Sequence, residues 1–385
     1  MLKIGVIGYG KRMEGLVDKF IATKQVTLAA ITDIRNDEIK PKLDKLGYAD
    51  VHFYTDAEEM IKNESLDGVL VGTRCSTHTD YALLVAKYNL PLFLEKPVCT
   101  NEEDLERLCS ILPTMDCKTV VSFPLRLTYI IEKVKEIIDS GKIGEIAHVQ
   151  ATNNVFYGRV YYHRWYKDSK ETGGLFLQKA THDLDYINYL LGGLKPVRVC
   201  AMTSTQVFKG NEPAGKLCTE CDKAETCTES PKNIKKANPK ASPGIFCCYT
   251  EDMGNEDSGS CLVEYENGLH VCYSQNFIVR FASRIRGARF IGYKGTLEFD
   301  WNTNKIRVYR HLENITEDYT MPENNETHWG GDHKLVENFI GVMKGIATPI
   351  GSLKDGIASA RLCLAAKKSA TEHIFVDVNS TPKGE

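Results

Sequence analysis

Short apolar runs and helical stretches alternate through the first third of the chain. Residues 2–7 form an apolar run that ends in a glycine turn, and a helical stretch follows at 12–23. Residues 26–34 make a second apolar run rich in β-formers, and shorter runs at 68–72, 91–94 and 119–123 read as further strands. Between them lie helical segments at 79–90 and 101–112, the former carrying Ala82, Leu83, Ala86 and Leu90 at helical spacing. Strands alternating with helices of this length predict a parallel sheet with right-handed crossovers, a doubly wound α/β Rossmann domain over residues 1–123.

The rhythm changes after residue 123. Residues 127–139 look helical, 146–155 read as a long strand and 177–191 as a helix. From residue 260 onward the pattern is that of an antiparallel sheet. Runs at 261–265 and 269–278 flank Asn267-Gly268, a pair that favours the type I′ hairpin turn. Runs at 290–293, 296–299 and 306–309 continue the sheet, and helices at 334–344 and 353–373 close the chain. Residues 124–385 are therefore expected to form an α+β domain with one large, mostly antiparallel sheet, interrupted by a Cys-rich insertion at about 205–258.

Composition narrows the class. The chain has 385 residues, of which 42% are hydrophobic and 26% charged, as in globular proteins and unlike disordered or fibrous ones. No apolar run approaches the roughly 18 residues of a membrane span. A net charge of −3 leaves no basic footprint for nucleic acid or an acidic lipid surface. The first residues read as a strand running into a turn, not as a secretory signal, so the expectation is a soluble cytoplasmic protein.

Gly8 and Gly10 stand at the turn between the first strand and the first helix. Gly8 permits a tight turn, Gly10 lets backbone approach a pyrophosphate, and the helix N-terminus offers free N–H groups and a positive dipole end. Met13 replaces the third glycine of the usual pattern, and such a turn is also compatible with a purely structural role. Asp33 ends the second strand, where an acidic side chain accepts hydrogen bonds from both ribose hydroxyls and repels a 2′-phosphate; the competing role is a helix cap or turn. Arg35, able to pair with a 2′-phosphate, complicates the choice, and NAD is favoured over NADP.

Leu94-Glu95-Lys96-Pro97 closes a later strand at the sheet edge where doubly wound sheets bind ligands. Together with the glycine turn it resembles the glucose–fructose oxidoreductase/inositol dehydrogenase family (Gfo/Idh/MocA). Gly72-Thr73 with His78, the stretch from Phe123 to Arg126, Gly141-Lys142-Ile143-Gly144, and Gly173-Gly174 followed by His182 and Asp185 are similar to that family's corresponding segments, and the resemblance extends over roughly residues 1–378. It implies a cofactor site built from Gly8, Tyr9, Gly10, Lys11, Arg12, Asp33, Arg35, Thr73, His78, Glu95 and Lys96. It also implies that Lys96 lies beside nicotinamide and substrate carbinol, where a cationic ring and partial burial lower a lysine's pKa toward the working range. The alternative for Lys96 is a surface lysine before a turn proline.

The second domain departs from the family's commonest form. Relatives typically carry Asp four residues before the His; here that position is Gln178, and Lys179 precedes His182 by three. An i, i+4 pair shares one helix face, so Gln178 and His182 are expected to reach one sugar-sized ligand. The resemblance implies His182 as acid/base and Lys179 as substrate ligand or auxiliary acid. Arg126, Tyr157, Arg164 and Trp165 are sugar contacts by composition and position, and His328 and Asp332 are ligand contacts at a glycine-rich helix entry, with a helix cap as the competing role for Asp332.

Five of the thirteen cysteines fall in the insertion. Cys218, Cys221 and Cys227, with Cys247 after a gap, supply thiolates for a tetrahedral site. Structural zinc, an iron–sulfur cluster and no metal at all stay open. Taken together these features lead to an NAD-dependent oxidoreductase acting on a secondary hydroxyl of a sugar, glycoside, cyclitol or related polyol. Two alternatives remain: redox-assisted glycoside cleavage with recycled NAD, and a non-catalytic nucleotide-binding regulator. The resemblance implies a homodimer or homotetramer.

Overall fold

The computed structural model describes residues 1–379 apart from 240, 324 and 325, and the chain forms two compact units. The first comprises residues 1–132, Leu184–Tyr186 and a later segment ending at Arg361; the second holds the remainder.

Six parallel strands make the sheet of the first unit: β1 (Leu2–Ile7), β2 (Val26–Thr32), β3 (His52–Tyr54), β4 (Gly68–Val71), β5 (Leu92–Leu94) and β6 (Thr119–Val121). Their order is β3-β2-β1-β4-β5-β6. The order reverses beside β1, which opens a crevice at the carboxyl ends of β1 and β4, where such sheets take ligands. Five of these strands coincide with the apolar runs. β3 does not, because its three residues carry no fully buried side chain and so leave no apolar signature.

The core is sealed by Phe20, Phe93 and Phe339, packed edge-to-face with centroids 5.7 to 5.9 Å apart. Each such pair is worth about 1 kcal/mol beyond its burial. Phe339 lies on the helix Gly331–Met343, whose Leu335, Val336 and Ile340 join the same cluster. The expected division at residue 123 therefore differs from the packing: a helix from late in the chain completes the first core.

Nine strands make the sheet of the second unit: β7 (Ile146–Asn154), β8 (Pro196–Ser204), β9 (Ser258–Tyr265), β10 (His270–Asn276), β11 (Ile285–Gly292), β12 (Gly295–Asp300), β13 (Lys305–Arg310), β14 (Ile315–Thr320) and β15 (Val376–Asp377). The order is β14-β13-β12-β11-β7-β10-β9-β8-β15, antiparallel throughout except for the parallel pair β7 and β10. Burial alternates along β10 and β9, giving one covered and one open face. β14 matches none of the runs read from the sequence; it is an edge strand with no buried residue, so it shows no apolar alternation.

The Asn267-Gly268 hairpin does not take the expected type I′ turn. Gly268 alone of the two has positive φ (+85°), the Gly268 N–H donates to the Tyr265 carbonyl at 2.9 Å, and the Tyr265 N–H donates to Leu269 at 2.8 Å. A three-residue loop closed by a left-handed glycine makes the connection. Among the described residues no helix is long and apolar enough to cross a membrane.

Candidate active site

At the end of β1, Gly8 adopts φ +83°, and a Cβ there would meet Thr73 backbone atoms at 2.7 and 2.8 Å. Only glycine fits between the two loops. Gly10 precedes the helix Lys11–Ala22, whose N-terminus carries no side-chain cap, and the space a Gly10 Cβ would enter is empty to 4 Å. Uncapped amides over open space suit a pyrophosphate. Lys11 is exposed at the first helical position and the Tyr9 side chain is buried.

Asp33 follows β2. Its carboxylate accepts the Tyr9 N–H at 2.7 Å and the Arg35 N–H at 2.8 Å, and the Arg35 guanidinium donates to it at 3.1 and 3.2 Å. Burial works to raise this carboxyl, but Arg35 and the two backbone donors outweigh it and lower its pKa. Arg35 is thus folded back onto Asp33.

Arg12 gathers several expected site residues into one ion-pair network. It donates to Glu95 at 2.9 Å, to both oxygens of Asp332 at 2.7 Å and to Ser122 at 3.2 Å. Asp332 is fully buried and also accepts from Thr327 at 3.1 Å, with His328 Nδ1 at 3.3 Å. Burial alone would raise Asp332; His328 and Arg12 hold it well below the usual carboxylate range. Sequence reading expected Arg12 on the cofactor and Asp332 on the substrate, yet the structure pairs them. The network clamps a strained turn, because His328 (φ 52°), Trp329 (φ 48°) and Gly330 (φ 82°) are successive left-handed residues, at about 1–2 kcal/mol for each non-glycine.

Lys96 follows Glu95 at the end of β5, and the buried His78 donates from Nδ1 to the Pro97 carbonyl at 2.7 Å, tying this loop to the helix His78–Lys87. Thr73 bonds Thr77 through its hydroxyl at 2.7 Å. Arg126, expected to touch sugar, is buried and pairs with Asp185 at 2.6 and 2.8 Å, with Asp355 at 3.0 Å and with the Ile350 carbonyl at 3.0 Å. Those partners make it an internal ion-pair centre.

The segment that carries Gln178, Lys179 and His182 opens with a π-turn, Phe176–Ala180, running into the helix Thr181–Leu190. The wider winding alters the simple i, i+4 relation expected between Gln178 and His182; both are nonetheless buried, as is Lys179 (5% exposed). The Lys179 ammonium donates to the Tyr157 hydroxyl and sits 4.7 Å from that ring's centroid. Burial lowers its pKa, Arg286 lowers it further and Asp183 partly opposes them, which leaves Lys179 at about 7.

Asp183 is the residue that sequence reading missed here. Fully buried, it accepts from Asn153 at 2.7 Å, Tyr273 at 2.9 Å and Arg286 at 2.7 Å. Its place beside His182 was visible in the sequence; the identity of its partners was not. Arg164 donates to the Ser242 carbonyl of the insertion, and Trp165 stacks on Tyr166 at 3.9 Å. Both expected sugar contacts therefore have partners of their own within the unit.

Cys218, Cys221, Cys227 and Cys247 line one open cavity of about 180 Å³ together with Glu212 and Lys223. Burial pushes the Cys218 thiol up to about 12 and also raises Cys247. Lys216 and Lys223 each bond Glu212 at 2.7 Å. Among the described residues, the ligating side chains whose donor atoms all converge within 4.8 Å are His148, His270 and Cys272, not these thiols. Structural zinc on these thiols, one of the alternatives left open by the sequence, is not supported by this geometry.

Comparison with known proteins completes the picture. The family model described as the oxidoreductase family, NAD-binding Rossmann fold (GFO_IDH_MocA), matches residues 2–123. Its companion, described as the C-terminal alpha/beta domain of the oxidoreductase family, matches residues 135–378. YteT of Bacillus subtilis is 26% identical over 367 residues, covering 85% of this chain and 84% of that one. Myo-inositol 2-dehydrogenase of Thermotoga maritima is 28% identical over 197 residues, and the match spans 50% of this chain and about half (55%) of that one. A structure of levoglucosan dehydrogenase in complex with NADH and levoglucosan superposes with a TM-score of 0.75 at 18% identity, covering 98% of this chain and 100% of that one.

Proposed function

Since the chain belongs to the Gfo/Idh/MocA oxidoreductase family, we propose that it oxidises a secondary hydroxyl of a sugar, cyclitol or related polyol with NAD. The observation that carries this reading is the buried Lys179 at about 7 against the Tyr157 hydroxyl. A buried amine poised near neutrality is suited to exchanging a proton with a carbinol.

The residues present fit the dinucleotide. Gly8 makes the tight turn against Thr73, Gly10 leaves room for backbone approach, the helix Lys11–Ala22 has no side-chain cap at its N-terminus, and Asp33 follows β2, the position at which an acidic residue reads ribose hydroxyls. When bound, nicotinamide supplies the hydride acceptor. Asp33 favours NAD, and Arg35 held on its carboxylate leaves a 2′-phosphate in competition with that pair. Glu95, fixed by Arg12, and Pro97, fixed by His78, hold the backbone on either side of Lys96. In this reading Lys96 and His182 receive and relay the carbinol proton, while Lys179 binds the substrate or serves as auxiliary acid/base. Gln178 and Tyr157 contribute hydrogen bonds to hydroxyls. The same reading carries a homodimer or homotetramer, which sedimentation would size.

The test is NADH formation at 340 nm over a panel of inositols, aldoses and glycosides, with mass spectrometry of any nucleotide released on denaturation. Reduction of NAD by a polyol, lost in Lys96→Ala, is the expected result. Glycoside cleavage with no net NADH would replace the proposal by the recycling reaction, and NADP in the extract would overturn the role given to Asp33.

A further inference from the structure

We propose that His148, His270 and Cys272 form a site for a divalent transition-metal ion of the zinc type on the open face of the nine-stranded sheet. Strand register brings the three together. β7 and β10 run parallel with His148 directly opposite His270, and Cys272 lies two residues beyond His270 on the same face. The two rings meet near-perpendicular (87°) with centroids 4.3 Å apart, and Cys272 Sγ lies 3.9 Å from His148 Nε2. All three donor atoms fall within 4.8 Å of one another.

Those spacings are close to a metal's requirement. Bonds of about 2.0 Å to nitrogen and 2.3 Å to sulfur at tetrahedral angles separate the ligand atoms by roughly 3.5 Å, so small side-chain rotations close the site. Two imidazoles and one thiol select zinc, cobalt or nickel over magnesium or calcium, which prefer oxygen. The Cys272 S–H proton passes to solvent as the metal–sulfur bond forms.

Three protein ligands leave a fourth position for water, or for Glu264, which stands opposite His270 on β9 and pairs with Arg198 at 2.7 Å. His270 is exposed, so an ion can enter without opening the fold. A bound ion would staple the parallel strand pair, which is independent of the redox reading above.

The experiment is anaerobic cobalt titration of the full-length, reduced, chelator-treated protein. Thiolate-to-cobalt absorption in the near ultraviolet should saturate at one equivalent and vanish in Cys272→Ser. Affinity should fall at least tenfold in His270→Gln, an exposed position that does not endanger folding, as circular dichroism would verify. The double variant Cys221→Ser/Cys227→Ser should keep the band. No thiolate band, or a band that survives Cys272→Ser and disappears in the double variant, would overturn the assignment.

Discussion

Lys179 shows how far a single environment moves a side chain. Its amine is enclosed by the second unit, and Arg286 adds a like charge, so deprotonation is brought from the ordinary lysine range to about 7. If the neutral amine takes the proton during oxidation, kcat/KM should rise with pH through about 7 and then level. Steady-state profiles check this, and Lys179→Met should lower kcat/KM by about a hundredfold or more and remove the inflection. Stability responds to the same shift. The unfolded chain keeps this proton up to the ordinary lysine value, so between about 7 and 10.5 the folded state binds fewer protons and is relatively favoured as pH rises. Glycine turns and Glu95-Lys96-Pro97 were legible because each is contiguous. The partners Arg12–Asp332, 320 residues apart, and Asp183–Arg286, 103 apart, were not, because only packing brings them together.

Elements are held by buried carboxylates. Removing Arg12 takes from the fully buried Asp332 its two guanidinium bonds and leaves it Thr327 and His328, whereas removing Asp332 leaves Arg12 its partner Glu95 and some solvent. Arg12→Ala should therefore cost more than Asp332→Ala, about 3–5 kcal/mol, as urea unfolding would report. The insertion has a similar anchor in Glu229, buried among Arg159 at 2.8 Å, His163 at 3.8 Å and Arg280. Burial opposes its charge, but these three hold it at about 2, below the ordinary 4.5. Its contribution is complete above about 4.5 and is lost as pH falls toward 2. Melting temperature across that window should fall less steeply in Glu229→Gln than in the unsubstituted protein. Period-2 and helical patterns located most strands and helices here because one face of each is buried. β14 and the π-turn escaped, the first because neither face is covered, the second because a five-residue turn leaves no distinct composition.

At the scale of the molecule, the boundary read from rhythm and the boundary set by packing differ. Phe339 comes from late in the chain yet closes the aromatic triad with Phe20 and Phe93. A fragment ending at residue 132 leaves those two rings uncovered, so it should show weak near-ultraviolet circular dichroism and bind a hydrophobic dye, unlike the whole chain. The fold class was legible because alternating elements admit few connections, whereas the return of a helix to an earlier core carries no local mark.

The parallel pair in the larger sheet has a consequence for synthesis. β7 is flanked by β10 and β11, and the chain makes both more than a hundred residues after it. At roughly 5–20 residues per second on the ribosome, β7 waits about ten seconds with both edges unpaired. During that interval Val149 and Ala151, which end up buried, have no sheet to face. The vulnerable moment for this protein thus falls before release of the nascent chain, when a chaperone has most to offer.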